Sequence, residues 1–163
     1  MLEEQCLDPG QHDRQAFFSG VVELDEYLRR FADQQSKKGI TVVRVLVDTD
    51  SPDTILGYYS LSAAQIEAGQ LDERVRQKLP RYPVPCFRMG RLAVHAAHRG
   101  RGLGRLLIGC AVARCLEARK LVAAYAFVVD AKGENAKAFY EHYGFTVCRD
   151  NPMTLYLPLG AGR

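Results

Sequence analysis

Residues 98–105, HRGRGLGR, bring three glycines (Gly100, Gly102, Gly104) and three arginines (Arg99, Arg101, Arg105) together just ahead of a leucine-rich run. Residues of these types in this order suit an anion. A helix that starts straight after a glycine turn exposes its first backbone N–H groups at the positive end of its dipole. Glycine allows the turn and lets a ligand come close to the backbone. Arginine pairs with phosphate oxygens. The stretch therefore reads as a diphosphate cradle. Two common nucleotide sites do not fit it. A P-loop ends in Gly-Lys-Ser/Thr, and Arg105-Leu106 stands here instead. A dinucleotide fold wants G-x-G-x-x-G after its first strand, with an acidic residue about 20 positions on. Here the glycines alternate and come late in the chain.

The elements around the cradle alternate between helical and strand patterns. Residues 24–36 place Leu24, Tyr27, Leu28 and Phe31 at helical spacing. Residues 40–47 (ITVVRVLV) predict a buried strand, and residues 54–66 a second strand pairing back on it as a hairpin. A short polar helix is expected over 71–78. Prolines punctuate 79–85 (LPRYPVP) and make it extended. CFRMGRLAV (86–94) is a strand that enters the cradle. Residues 102–120 form the helix after it, with Leu103, Leu107, Cys110 and Arg114 along one side. A central strand (122–129), a helix closed by Gly144 (134–144) and a last strand (154–159) complete an α/β (α+β) pattern, a mixed central sheet flanked by helices.

Size and composition bound the rest. The 163 residues make one domain, 1–163, with 47% hydrophobic and 25% charged residues. No apolar run approaches a membrane span; the one from Leu121 to Val129 is far too short. The opening MLEEQCLD lacks the layout of a signal peptide. The five cysteines contain no C-x-x-C pair, which predicts buried free thiols, a reducing cytoplasm and no metal site. Net charge is only +3, yet Arg74 to Arg114 holds ten basic residues and no acidic one. Such a run is either a solvated face beside a phosphate site or a surface for a large polyanion such as RNA.

The spacing Arg99-x-x-Gly102-x-Gly104 resembles the acetyl-CoA pyrophosphate loop of the GNAT N-acetyltransferases. GRLAV (90–94) resembles the family's splayed fourth strand, and AKAFYEHYGF (136–145) its A-x-x-x-Y-x-x-x-G-F signature, with Ala136, Tyr140, Gly144 and Phe145 in register. The resemblance implies the GNAT acyl-CoA N-acyltransferase fold, splayed at the acetyl-CoA-binding strand. It also implies acetyl-CoA as co-substrate. Leu92, Ala93 and Val94 would pair with the pantetheine arm, and Arg99, Gly100, Arg101, Gly102, Leu103, Gly104 and Arg105 would hold the pyrophosphate. Tyr140 would be the catalytic proton donor to the departing thiolate, since a phenol with pKa about 10 stays protonated until the thiolate forms. The backbone N–H near Val94 or His95 would polarise the thioester carbonyl. His95 and His98, beside the cradle, read as solvated. An asparagine that many members carry seven residues before the tyrosine is replaced by Gly133, and Asn135 reads as a first-turn residue.

FFSGVVELDEYLRRFADQQSKKGI (17–40) resembles the F-x-C/S-G-x-x-x-L-D-x-Y-L opening of the GNAT toxins of bacterial type II toxin–antitoxin systems, and LGYYSLS, LPRYPVP, GRLAV and VVDA resemble their later blocks. This implies acetylation of the α-amine of aminoacyl-tRNA, which blocks translation. It makes Arg76, Lys78, Arg81, Arg88 and Arg91 candidate contacts to RNA phosphates. A ribbon-helix-helix antitoxin, a repressor complex that meets DNA only through that antitoxin, and homodimerisation are implied as well. The subgroup commonly has an aspartate after GRLAV, where this chain has His95. Two alternatives stay open: a GNAT enzyme acting on a small amine or a protein amino group, and a non-catalytic acetyl-CoA-binding module.

Overall fold

The computed structural model describes residues 1–81 and 83–160; Tyr82, within the proline-punctuated segment, and the last three residues lie outside them. The chain folds as two compact units. One comprises Met1–Ser62 with Gly90–Ala113, the other Ala63–Met89 with the chain from Arg114 onward.

The first unit holds β1 (Leu2–Cys6), α1 (Val22–Glu26), α2 (Ala32–Lys37), β2 (Val42–Asp48), the start of β3 (Gly57–Ile66), the end of β4 (Val84–Val94) and the first turns of α4 (Leu103–Ala118). The expected hairpin is present, with β2 and β3 antiparallel from Val42↔Leu61 to Leu46↔Gly57. The expected helix over 24–36 is interrupted. A π-helical turn, Tyr27–Phe31, joins α1 to α2 and keeps Tyr27 and Leu28 buried. Phe17, Leu24, Tyr27, Leu28, Val45 and Tyr58 belong to this unit's core. The Tyr58 hydroxyl donates to the Leu24 carbonyl at 2.6 Å and so satisfies its buried polar atom. Gly57 is required by close approach. A Cβ there would lie 2.7 Å from Leu107 Cδ1 and 2.9 Å from the Ala93 carbonyl oxygen.

The second unit holds α3 (Glu73–Arg76), β5 (Ala126–Asp130), α5 (Glu134–His142), β6 (Thr146–Val147), β7 (Thr154–Pro158) and the earlier part of β4. Asp72 caps α3, its carboxylate accepting the Arg74 N–H at 3.0 Å. Strand β4 runs parallel to β5 from Cys86↔Ala126 to Met89↔Val129, and β7 is antiparallel to β5. Ile66, Leu71, Val84, Ala126, Val128 and Tyr156 are among this unit's core residues. Gly133 starts α5 in a positive-φ conformation, and left-handed Gly144 ends it.

Backbone pairing gives the strand order β1-β2-β3-β4-β5-β7-β6, a mixed sheet as the sequence predicts. Its β4–β5 pairing runs to Met89↔Val129, one residue before β5 ends, while β4 continues to Val94. Strands β1 and β6 were not anticipated. The buried stripe of α4 also differs from the expected one. It passes through Leu103, Leu107, Ala111 and Cys115, while Cys110 and Arg114 are half-buried, because the stripe advances in steps of four rather than three. None of the described helices is long and apolar enough to cross a membrane.

Gly57→Ala should cost about 1–3 kcal/mol in chemical denaturation, because backbone as well as side chain must move. His12, 3% exposed, accepts the Asp8 N–H on Nδ1 and meets Gln5 Oε1 through Nε2. Burial lowers its pKa, against a smaller opposing effect of Asp8. The folded state therefore favours the neutral ring. That contribution is intact above the unfolded pKa of about 6.5 and fades as pH falls below it, by at most about 1.4 kcal/mol per pH unit. Denaturation at pH 7.5 and 5.5 should show this loss in the wild type and a smaller one in His12→Gln.

Candidate active site

Strand β4 delivers the chain to the cradle. The His95 N–H donates to the Leu56 carbonyl at 2.8 Å, and the Ala96 N–H to the Phe18 carbonyl at 2.8 Å. Successive N–H groups of an extended strand point to opposite edges, so the Val94 N–H faces away from Leu56. This corrects one expectation. The His95 N–H is committed within the protein, and of the two amides named for the carbonyl only Val94 retains the right direction. Neither histidine is simply solvated either. His95 Nδ1 accepts the Ala97 N–H at 3.1 Å, its ring packs edge-on against Phe17 and His98, and His98 Nδ1 lies 2.9 Å from Arg101 Nη1.

Gly100 and Gly102 have φ of 81° and 72°, a left-handed turn that other residues adopt only with strain. Helix α4 begins at Leu103, and its first bond runs from the Leu106 N–H to the Gly102 carbonyl at 3.1 Å. The N–H groups of Leu103, Gly104 and Arg105 thus have no partner within the helix, and no acidic residue sits in this first turn. A groove of about 460 Å³ starts here, lined by Gly102, Arg105, Leu106, Gly109, Cys110 and Ala113. Arg101 and Arg105 are exposed. Arg99 is tethered, its Nη2 donating to the Ser19 carbonyl. Ala93 is buried, with Leu92 and Val94 half-buried on either side. These residues together can hold an elongated ligand with a diphosphate near its middle.

In the second unit Tyr140 is 4% exposed, on the inner face of α5 against Phe139 and Phe145. Among the described residues no protein group hydrogen-bonds its hydroxyl. Burial, and then the charge of Asp130, push its pKa well above the ordinary phenol value. The group therefore stays protonated across the working pH range and can only donate until a strong base forms beside it. Tyr143 is half-buried against Phe139 and His142. Asn135 is exposed in the first turn of α5.

The basic residues divide by environment. Arg76, Lys78 and Arg81 are exposed, and Arg76 and Arg81 line a groove of about 470 Å³ with Gly69, Leu79 and Pro80. Arg88 is not a free cation. It forks onto Asp130 at 2.6 and 2.5 Å, and Thr154 Oγ1 donates to the same carboxylate. Arg91 stacks on Tyr27, its Cζ 3.5 Å from the ring centroid. Neither pairing is visible from charge alone, since partner and arginine are 42 and 64 positions apart. Cys86, Cys115 and Cys148 are buried free thiols, with burial raising their pKa to about 11, 12 and 11, and so are inert. Cys6 departs from the expectation; it is exposed and accepts from Arg44 Nη1 at 2.9 Å.

The family model described as an acetyltransferase (GNAT) domain matches residues 39–147. A tRNA-acetylating toxin of Mycobacterium tuberculosis (strain ATCC 25618 / H37Rv) is 34% identical over 145 residues, covering 89% of this chain and 85% of that protein. Among solved structures, AtaT complexed with acetyl-methionyl-tRNAfMet aligns with a TM-score of 0.90 at 26% identity, over 97% of this chain and 95% of the other. AtaTR bound with AcCoA aligns with a TM-score of 0.84 at 28% identity, over 97% and 94%. With the family model matching two thirds of its length and a relative 34% identical over 89% of it, the chain belongs to the GNAT family of acetyltransferases.

Proposed function

We propose that this protein is the toxin of a type II toxin–antitoxin system that transfers acetyl from acetyl-CoA to the α-amine of aminoacyl-tRNA and so stops translation. The observation that carries the reading is Tyr140, a buried, protonated phenol whose hydroxyl takes no described protein partner, in a unit that also presents a groove lined by exposed arginines. The likeness to a tRNA-acetylating toxin over 89% of the chain supports the choice of acceptor.

The residues present fit acetyl-CoA. The amides of Leu103, Gly104 and Arg105, with Arg101 and Arg105, suit the pyrophosphate, while Gly100 and Gly102 give the turn that aims them. The free edge of Leu92, Ala93 and Val94 suits the amides of the pantetheine arm, and the Val94 N–H has the direction needed to polarise the thioester carbonyl. The neutral amine attacks that carbonyl, forming the N–C bond. The C–S bond then breaks, and Tyr140 donates its proton to the leaving sulfur. The amine's surplus proton restores the phenol, so one proton passes from nitrogen to sulfur overall. An α-amine with pKa near 7.7–8.0 is partly neutral without a dedicated base, which suits a basic run free of carboxylates.

Arg76, Lys78 and Arg81 are assigned to RNA phosphates. Arg88 and Arg91 are already engaged, by Asp130 and by Tyr27. The reading treats 1–163 as one domain, supported by a family match that runs through both compact units. It places the protein in the cytoplasm and gives it a ribbon-helix-helix antitoxin, DNA contact through that antitoxin, and a homodimeric state.

Tyr140→Phe should lower kcat about 10²–10⁴-fold with the affinity for CoA unchanged; a variant turning over at the wild-type rate would remove the tyrosine from the mechanism. Replacing Arg76, Lys78 and Arg81 together by glutamine should flatten the salt dependence of tRNA binding by about two to three units of log K per log salt. An unchanged slope would mean that these cations do not meet RNA.

A further inference from the structure

The FFSG…LDEYL stretch has no role in the reaction described above, yet it contains a buried carboxylate. Asp25, 4% exposed, accepts the Ser19 N–H at 2.9 Å and the Ser19 hydroxyl at 2.6 Å on the same oxygen, Oδ1. Ser19 Oγ in turn accepts the Val21 N–H at 3.1 Å. The carbonyl of this fixed serine takes Arg99 Nη2, and the neighbouring Phe18 carbonyl takes the Ala96 N–H. Gly20, next in line, has φ of 90°, and a Cβ on it would stand 3.0 Å from Arg99 Nη2. The serine, the glycine and the aspartate of the motif thus converge on one guanidinium of the cradle.

We infer that Ser19, Gly20 and Asp25 are positioning residues for the acetyl-CoA loop, acting through Arg99, rather than part of the acceptor site. Asp25 fixes the Ser19 peptide, the Ser19 carbonyl holds Arg99 at the entrance to α4, and Gly20 leaves the room for that contact. The negative charge buried at Asp25 strengthens the bonds to Ser19. The consequence is a motif that determines donor binding. The inference rests on acetyl-CoA as donor and is independent of the acceptor's identity.

The test is calorimetric titration of the full chain with CoA, without any acceptor, beside steady-state kinetics with aminoacyl-tRNA. Asp25→Ala should weaken CoA binding about tenfold, the worth of one bond to a charged group, and Asp25→Asn, which keeps an acceptor oxygen, should recover most of it. Gly20→Ala, at an exposed position, should show the same loss and serves where Asp25→Ala does not fold. KM for aminoacyl-tRNA should stay within about twofold of wild type, where a general packing defect lowers stability without separating donor from acceptor. In an Arg99→Gln background neither substitution should weaken CoA further. Additive losses in that background, or unchanged CoA affinity in both single variants, would overturn the inference while leaving the acetyl-CoA reading intact. Wild-type protein that fails to bind CoA would overturn both.

Discussion

Backbone amides can bind an anion only where the fold leaves them without internal partners, and here the left-handed turn at Gly100 and Gly102 creates that condition. It starts α4 at Leu103 and leaves the amides of Leu103, Gly104 and Arg105 without partners in the helix. Much of the first unit keeps the turn in place. The His95 amide is fixed to Leu56, that of Ala96 to Phe18, and the Arg99 side chain to Ser19. Gly57 gives up its side chain so that Leu107 and Ala93 can sit against the β3 backbone. A preformed cradle has little ordering entropy left to lose when a ligand arrives.

Electrostatics follow from the same economy. A run of ten basic residues without a carboxylate is not ten available charges. Arg88 is neutralised by Asp130, Arg91 is spread over the Tyr27 ring, and Arg99 is tied to a carbonyl. What remains exposed is Arg74, Arg76, Lys78 and Arg81 in one unit and Arg101 and Arg105 in the other, while Arg114 is half-buried. The first set suits a long polyanion, and the second a compact diphosphate. The buried phenol of Tyr140, kept protonated by its surroundings, is the group we propose for what neither set can supply, a proton for a leaving thiolate.

The sequence made the strongly periodic parts legible: the β2–β3 hairpin, the helix after the cradle, α5 with its terminal Gly144, and the last strand. The cradle itself was legible because glycine and arginine at that density have few other uses. Strand β1 was not, because LEEQC shows no apolar alternation. Its place at the edge rests on pairing with β2 and on Glu4, which takes both Arg44 and the Tyr59 hydroxyl. Strand β6 is only Thr146–Val147, too short to show a period. The π-helical turn left no trace, since one added residue per turn shifts burial without changing composition. The fate of the His95 amide depended on which edge of β4 meets β3, a matter of register that residue types do not encode. Ser19 and Asp25 were visible as a motif, but their target lies some 75 to 80 positions away, and only the folded chain joins them.

The central claim is that the acetyl group goes to the α-amine of an amino acid carried on tRNA. The direct measurement incubates wild-type protein with bulk aminoacylated tRNA and isotopically labelled acetyl-CoA, hydrolyses the ester, and identifies the released amino acids by mass spectrometry. The account predicts labelled N-acetyl-amino acids, confined to the tRNA species the enzyme selects. Unlabelled amino acids from every tRNA, with CoA thiol still released when free amines are supplied, would contradict it.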